Sequence, residues 1–248
     1  MNLGLIISMY TEIDIVLATI QNVKKNIRKI IVIQSDPGDP QKRLDSSLVD
    51  HYEILPDIAL SSENYQNERK QGGLSTIPSK ALCRNCSKGF QIADSLNVDW
   101  WIFIMGDVLI NNLSGIKQII KKMEKQNKVL GITRPLGQTL YDSDGKLTHL
   151  VTSNMTTFTP TFFIVNSELI QKGLFANIAI TNPFTSEQCF GDHINEFFIK
   201  NNLIFHNSTF FISDNAYPDS VKGLKYDYPQ PKTPKFLRPI KNYLKKNF

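Results

Sequence analysis

Four apolar runs in the chain stop at side chains that can do chemistry. The clearest is Trp100 to Met105, which ends at Gly106-Asp107. Apolar residues without alternation, rich in aromatics and Ile, read as a strand buried on both faces. A carboxylate just past the carboxyl end of such a strand stands where open α/β sheets bind ligands. An unpaired charge there is costly, so Asp107 calls for a cation, a hydrogen-bond donor or water; a solvated turn residue is the plain alternative. Leu3 to Met9 ends at Tyr10-Thr11, Arg28 to Gln34 ends near Asp36, and the weaker run Tyr52 to Leu55 ends near Asp57. Arg84-Asn85 lie in the early turns of a helix leading into the Trp100 strand, and Gly191-Asp192 open another helix.

The elements that must position these groups follow from periodicity. After Thr11, with Asp14 three residues on in a capping-box-like arrangement, Ile13, Val16, Ile20, Val23 and Ile27 recur at helical spacing. Ser35-Asp36-Pro37-Gly38 stops the second strand, and the polar stretch 61–76 reads as a long loop. A helix capped by Ser79 carries Leu82, Cys86, Phe90, Ala93 and Leu96 on one stripe. A helix from Ser114 and a strand over Lys128 to Thr133 complete an order that predicts an α/β fold with a mostly parallel, doubly wound sheet. Right-handed crossovers then bring Tyr10, Thr11, Asp36, Asp57, Arg84, Asn85 and Asp107 to one edge. Further on, Tyr141 to Lys146 has hairpin-turn chemistry, and Thr159 to Val165 reads as a strand. A short helix over Asn166 to Gln171 follows, then strands at Leu203 to Phe205 and Thr209 to Ile212.

Composition bounds the function. The chain of 248 residues holds one substantial core and no run of the roughly 20 apolar residues that a membrane span needs. Its amino terminus lacks a basic region before the first apolar run, and its three cysteines make no disulfide framework, so a reducing cytoplasmic setting is expected. Cys83 and Cys86, within one helix and without a second pair, read as core neighbours and not a zinc site. The net charge of +5 belongs to residues 225–248, which carry +6 and leave −1 on 1–224. A body so near neutrality lacks the electrostatic footprint of a nucleic-acid binder.

Taken in order, these residues resemble the nucleotide-sugar-dependent glycosyltransferases of the GT-A fold, family 2 in particular. Tyr10-Thr11 stand at that family's turn after the first strand, Asp36 at its nucleoside-contacting acid, and Arg84-Asn85 at its Arg-Asn pair. Gly106-Asp107-Val108 keep the last acid of its metal motif, with Met105 in place of the first, and Gly191-Asp192 keep the second member of its catalytic acid pair. The resemblance implies a single GT-A, Rossmann-like domain over 1–224, with a nucleotide-sugar half (1–112) and an acceptor half (113–224). It implies transfer of one sugar from a nucleoside diphosphate sugar to a glycan or lipid-linked acceptor, with inversion. Asp107 would anchor Mn²⁺ or Mg²⁺, while Tyr10, Thr11, Asp36, Arg84, Asn85 and Gly106 would bind the donor. Asp192 would be the base, with Glu187 as its rival. The alternatives are a solvated position for Arg84, a turn role for Asp36 and a helix-start acid for Asp192. The thinned motifs also leave open a non-catalytic nucleotide- or glycan-binding relative. The sugar-nucleotidyltransferases need a Gly-rich loop after the first strand, and Ser8 to Glu12 has no glycine.

The tail, 225–248, places Phe236, Leu237, Ile240, Tyr243, Leu244 and Phe248 on one helical face, among Lys235, Arg238, Lys241, Lys245 and Lys246. Such a helix suits an anionic membrane surface, each basic residue contributing about 1 kcal/mol near the headgroups; a solvated basic end or an oligomer contact is the alternative. A peripheral position at the cytoplasmic face of a membrane follows as an expectation. In vesicle sedimentation, the full chain should pellet with anionic and not neutral vesicles, and residues 1–224 with neither. Equal binding of both proteins to anionic vesicles would end the assignment.

Overall fold

The computed structural model of the chain describes residues 1–56, 77–133, 135–136, 138–141, 147–150, 157–158, 160–178, 186–212 and 221–222. Asp57, the loop 61–76, the turn 142–146 and the tail 225–248, all named above, lie outside them.

The chain opens with β1 (Leu3–Met9), every residue of it buried. It continues through α1 (Ile13–Val23), β2 (Lys29–Ser35), β3 (His51–Leu55), α2 (Ile77–Ala93), β4 (Trp100–Met105), β5 (Leu109–Ile110), α3 (Ser114–Lys125) and β6 (Leu130–Thr133). Four short strands follow, β7 (Pro135–Leu136), β8 (Gln138–Tyr141), β9 (Leu147–Leu150) and β10 (Thr157–Phe158). Then come β11 (Phe162–Asn166), α4 (Ser167–Gln171), α5 (Ser186–Lys200), α6 (Phe205–Ser208), β12 (Thr209–Ile212) and β13 (Val221–Lys222).

One seven-stranded sheet runs in the order β12-β6-β11-β4-β1-β2-β3. β1 pairs in parallel with β2 and with β4, β2 with β3, and β6 with β12. The mostly parallel, Rossmann-like sheet is therefore as expected, with one exception. β11 runs antiparallel to both β4 and β6. An apolar run announces burial but carries no direction, so nothing in Phe162 to Val165 distinguishes the two orientations.

The two faces of the sheet carry separate apolar layers. On one, Leu5, Ile7 and Met9 meet Val16 and Ile20 of α1 and Ile116, Ile120 and Met123 of α3. On the other, Ile6, Trp101, Phe103 and Phe163 meet Cys86 and Phe90 of α2 and Phe190 and Ile194 of α5. Phe103 and Phe163 stack with ring centroids 4.7 Å apart across the β4–β11 pair. Cys83, Cys86 and Cys189 are all reduced and buried in this second layer, where burial raises the Cys86 thiol's pKa. They are packing groups, as the helical C-x-x-C suggested.

Several local expectations need correction. The Thr11–Asp14 capping box does not form: Glu12 is the residue preceding the first turn of α1, and no side chain caps that end. Helix α2 begins at Ile77, ahead of Ser79. Helix α5 begins at Ser186 and not at Phe190, because Cys189 and Phe190 extend the buried stripe of Ile194, Phe197 and Phe198 back by one turn. Phe205 opens a short helix in place of closing a strand. By contrast, β8 and β9, on either side of residues 142–146, pair antiparallel, and the Asn166 side chain caps α4 at 2.8 Å from the Glu168 amide.

The β1–β4 pairing depends on an absent side chain. Gly4 lies opposite Trp101, and a Cβ there would sit 2.4 Å from the indole Cε3 of that fully buried ring. Interiors packed this closely yield only by shifting backbone or forcing rotamers. Gly4→Val is expected to lower stability by roughly 1–3 kcal/mol. Urea denaturation should show a lower midpoint at an unchanged slope.

Candidate functional site

From β1 the chain passes to β2 on one side, while β4 pairs on the other. The strand order reverses there, and the crevice beyond the carboxyl ends of β1 and β4 is where such sheets bind ligands. Gly106 lines it. Its amide donates to the Ser8 carbonyl at 2.8 Å. A Cβ on Gly106 would lie 2.9 Å from Met9 Cβ and 2.9 Å from Oε2 of Glu12. The turn after β4 thus closes directly onto the turn after β1, and only glycine permits it.

Glu12 is the acid the sequence reading passed over. Its Oε2 accepts the backbone N–H groups of Tyr10 at 2.8 Å and Thr11 at 3.0 Å, folding the β1–α1 turn around the carboxylate. Asp107 stands exposed at the lip of the crevice. Desolvation by its surroundings raises its pKa, and the negative charge of Glu12 raises it further. The segment after Asp107 is pinned to α1, where the Ile110 amide donates to Thr19 Oγ1 at 3.1 Å and Asn22 Nδ2 donates to the Ile110 carbonyl at 3.0 Å. Asp107 is therefore on a held turn.

Two mutually repelling carboxylates form a hard oxygen donor set that suits Mg²⁺ or Mn²⁺. Among the described residues, no cluster of three or more His, Cys, Asp or Glu is placed to hold a metal. An ion held by these two acids would need further ligands from outside the described residues.

One strand over, β2 ends in a buried polar network. Gln34 is fully buried, and its amide nitrogen donates to the Tyr10 carbonyl at 2.6 Å and the Lys42 carbonyl at 2.7 Å. The Tyr52 hydroxyl donates to Oε1 of Gln34 and accepts the Leu44 amide at 3.2 Å. Asp36 follows, with Oδ1 accepting from the Gly38 amide and from Arg43, each at 3.0 Å. Those two contacts, the backbone one first, hold its carboxyl below the usual carboxylate range.

Beneath these turns lies Asn85. Only 2% of it is exposed, and its Nδ2 donates to Ser35 Oγ at 3.1 Å and Ser8 Oγ at 3.3 Å, tying β2 to β1. Asn85 thus holds the ends of β1 and β2 together. Arg84, the eighth residue of α2 and not an early one, donates to the Pro56 carbonyl at 2.6 Å and to Ser35 Oγ at 3.2 Å. An open cavity of about 510 Å³ beside it is lined by Leu55, Pro56, Ser87, Lys88 and Gln91, with no carboxylate in its wall among the described residues.

Asp192 is half-buried and is the seventh residue of α5. A helix dipole acts mainly within the first turn, so the macrodipole account of this acid lapses. Glu187 falls in that first turn and not in a loop. His193 has a structural duty, its Nε2 accepting the Phe175 amide at 3.3 Å where Phe175 holds a φ of 68°. Burial lowers the pKa of His193, in keeping with a neutral acceptor.

No family model matches the chain. No curated protein matches it either. Among solved structures, the chain is similar to S. aureus TarS, at 13% identity and a TM-score of 0.40. The match covers 86% of this chain and 35% of that one, so the chain spans about a third of that protein's length. A likeness so distant carries no functional argument, which must come from the residues of the crevice.

The raised pKa of Asp107 has a definite sign for stability. Between its unfolded and folded values the native state holds the extra proton, so this group's contribution falls as pH rises through that window and stays lower above it. Asp107→Asn should therefore be more stable than wild type at pH 7 in the absence of divalent ions, with the gain vanishing in acid. Urea denaturation from pH 3.5 to 7 checks this, and no gain at neutral pH would contradict it.

Proposed function

We propose that the chain transfers a single sugar from a nucleoside diphosphate sugar to a hydroxyl of a glycan or lipid-linked acceptor, with inversion at the anomeric carbon. The observation that carries the reading is the meeting of Glu12 and Asp107 across Gly106 at the sheet's switch point. Asp36 stands one strand away from them.

A diphosphate is the ligand such a crevice suits. Its nucleoside would lie toward Asp36, where Tyr10 would stack on the base. Its phosphates would lie toward Gly106 and Asp107. Asp107, with Glu12 beside it, would hold Mn²⁺ or Mg²⁺. When bound, such an ion supplies positive charge against the leaving diphosphate. Arg84 and Asn85 contribute by fixing the rim, since their bonds run to Ser35, Ser8 and Pro56. Asp192 is the proposed acceptor of the hydroxyl proton as the new glycosidic bond forms.

The proposed setting is the cytoplasm, at a membrane face where the basic tail engages it. Among the described residues, no helix is long and apolar enough to cross a membrane.

A thermal-shift panel of nucleoside diphosphate sugars, with and without Mn²⁺, tests the reading, since a ligand bound only by the native state raises the midpoint. One donor should raise it, more so with Mn²⁺, and Asp107→Ala should remove the metal-dependent part. With that donor, Asp192→Asn should keep the affinity and lose roughly 10²–10⁴-fold in kcat. Full turnover by Asp192→Asn with a dead Glu187→Gln would transfer the role of base to Glu187. Full turnover by both would remove the inverting mechanism.

A further inference from the structure

The helix layer beside the crevice carries an unbalanced charge. On α3, Ile116, Ile119, Ile120 and Met123 are turned into the core, which leaves Lys117, Lys121, Lys122 and Lys125 toward solvent. The lysines that form ion pairs with acids among the described residues are Lys29, Lys88 and Lys172, and none of these is on α3. The one acid of the helix, Glu124, accepts the Trp100 indole N–H at 3.0 Å. α1 covers the same face of the sheet, and the turn after it adds Lys24 and Lys25 against the single acid Asp14. Residues 13–26 and 114–125 thus hold six lysines and two acids, a charge of +4, while 1–224 as a whole sums to −1. The remainder of that body stands at −5, so its near neutrality hides a polarised surface. A helix that meets only water ordinarily interleaves acids with its lysines, and α3 does not.

The path of the chain brings its most basic part to the same side. β13, the last described element, pairs antiparallel with β5, and β5 is held to α1 through Thr19 and Asn22. The segment 225–248, with its charge of +6, begins three residues after β13. β5 in turn begins two residues after Asp107, so this layer borders the crevice. With the apolar side of α3 buried, the face offers charge and nothing to insert into lipid. Such charge acts over about 8 Å at physiological ionic strength, which by itself gives a loose hold. Joined to a second binding element on the same side, it strengthens the whole, because the second contact is then intramolecular.

We propose that the α1/α3 face, with the α3 lysines at its centre, is a docking surface for an anionic lipid bilayer, and that docking there turns the rim of the crevice toward the headgroups. The folded body, and not the tail alone, then sets how the domain sits on the membrane. A nucleic acid is the other extended polyanion that such lysines could meet. The tail favours the bilayer, since Phe236, Leu237 and Leu244 among its cations have a use at a lipid interface and none along a phosphate backbone. Docking stands apart from the reaction proposed above, and its test uses no sugar donor.

The test uses the full chain with vesicles of phosphatidylcholine, alone or mixed with phosphatidylglycerol, at near-physiological salt. A variant carrying Lys117→Gln, Lys121→Gln, Lys122→Gln and Lys125→Gln is compared with a control of equal charge loss on the opposite layer, Lys80→Gln, Lys88→Gln, Lys172→Gln and Lys200→Gln. Thermal melts check that both fold. Wild type should bind the anionic vesicles alone. The α3 variant should bind them at least about 10-fold more weakly, each cation near the surface being worth about fivefold. The control should stay within about threefold of wild type, since charges beyond a Debye length are screened. A second measurement leaves the lysines in place. The native cysteines are buried, so a dye can be attached at Gln118→Cys on α3 or at Ser95→Cys beyond α2, both exposed positions. Energy transfer to labelled lipid should be greater from residue 118. Docking through this face is overturned if wild type ignores anionic vesicles, if the α3 variant binds as wild type does, if the control loses as much, or if the two dyes transfer equally. Tighter binding of a labelled DNA duplex than of vesicles, lost in the α3 variant, would give the face to nucleic acid instead.

Discussion

Everything at the crevice depends on there being no side chain at residue 106. The turn after β4 comes within bonding distance of β1 through the Gly106 amide and the Ser8 carbonyl, and Met9 and Glu12 fill the space a Cβ would take. That contact brings two acids from distant parts of the chain into one electrostatic environment. Desolvation and mutual repulsion at Asp107 follow from it. That repulsion is the electrostatic basis of the cation site proposed above.

The second constraint is polar and lies below the surface. Asn85 joins β1 to β2 through two serine hydroxyls, and Gln34 joins the β1–α1 turn to the β2–β3 loop through two carbonyls. Each amide is buried, and each would be destabilising if left unpaired. Satisfied, they make the strand ends and their loops one body, because moving either loop breaks bonds that no water replaces. The groups proposed to meet the donor are therefore positioned by residues that do not touch it. Ser8 and Ser35, unremarkable in sequence, are the anchors of that arrangement.

The two apolar layers explain why this edge can be rigid. Phe90, Phe103, Phe163 and Phe175 pack ring against ring on one face, and Ile116, Ile120 and Met123 close the other. With both faces of β1 and β4 buried, the strands have no freedom to slide, and the turns that leave them begin from fixed points.

The sequence by itself determined the seven strands of the main sheet, most of the helices and the edge to which the candidate residues come. Unbroken apolar runs and helical stripes are local signals, and the rule that crossovers are right-handed turns them into a crevice containing Tyr10, Asp36, Gly106 and Asp107. Only the tertiary structure decided the rest. The direction of β11, the meeting of Glu12 with Asp107, and the burial of Asn85 depend on which residues far apart in the chain come together. Arg43 shows the limit well, since its contact partner is only seven residues away. What makes it a held cation is Gln34 and Tyr52, whose hydrogen bonds form only once β2 and β3 have paired. Periodicity encodes which face of an element is apolar. It does not encode which polar groups will meet, because hydrogen-bond partners are chosen by packing and not by spacing.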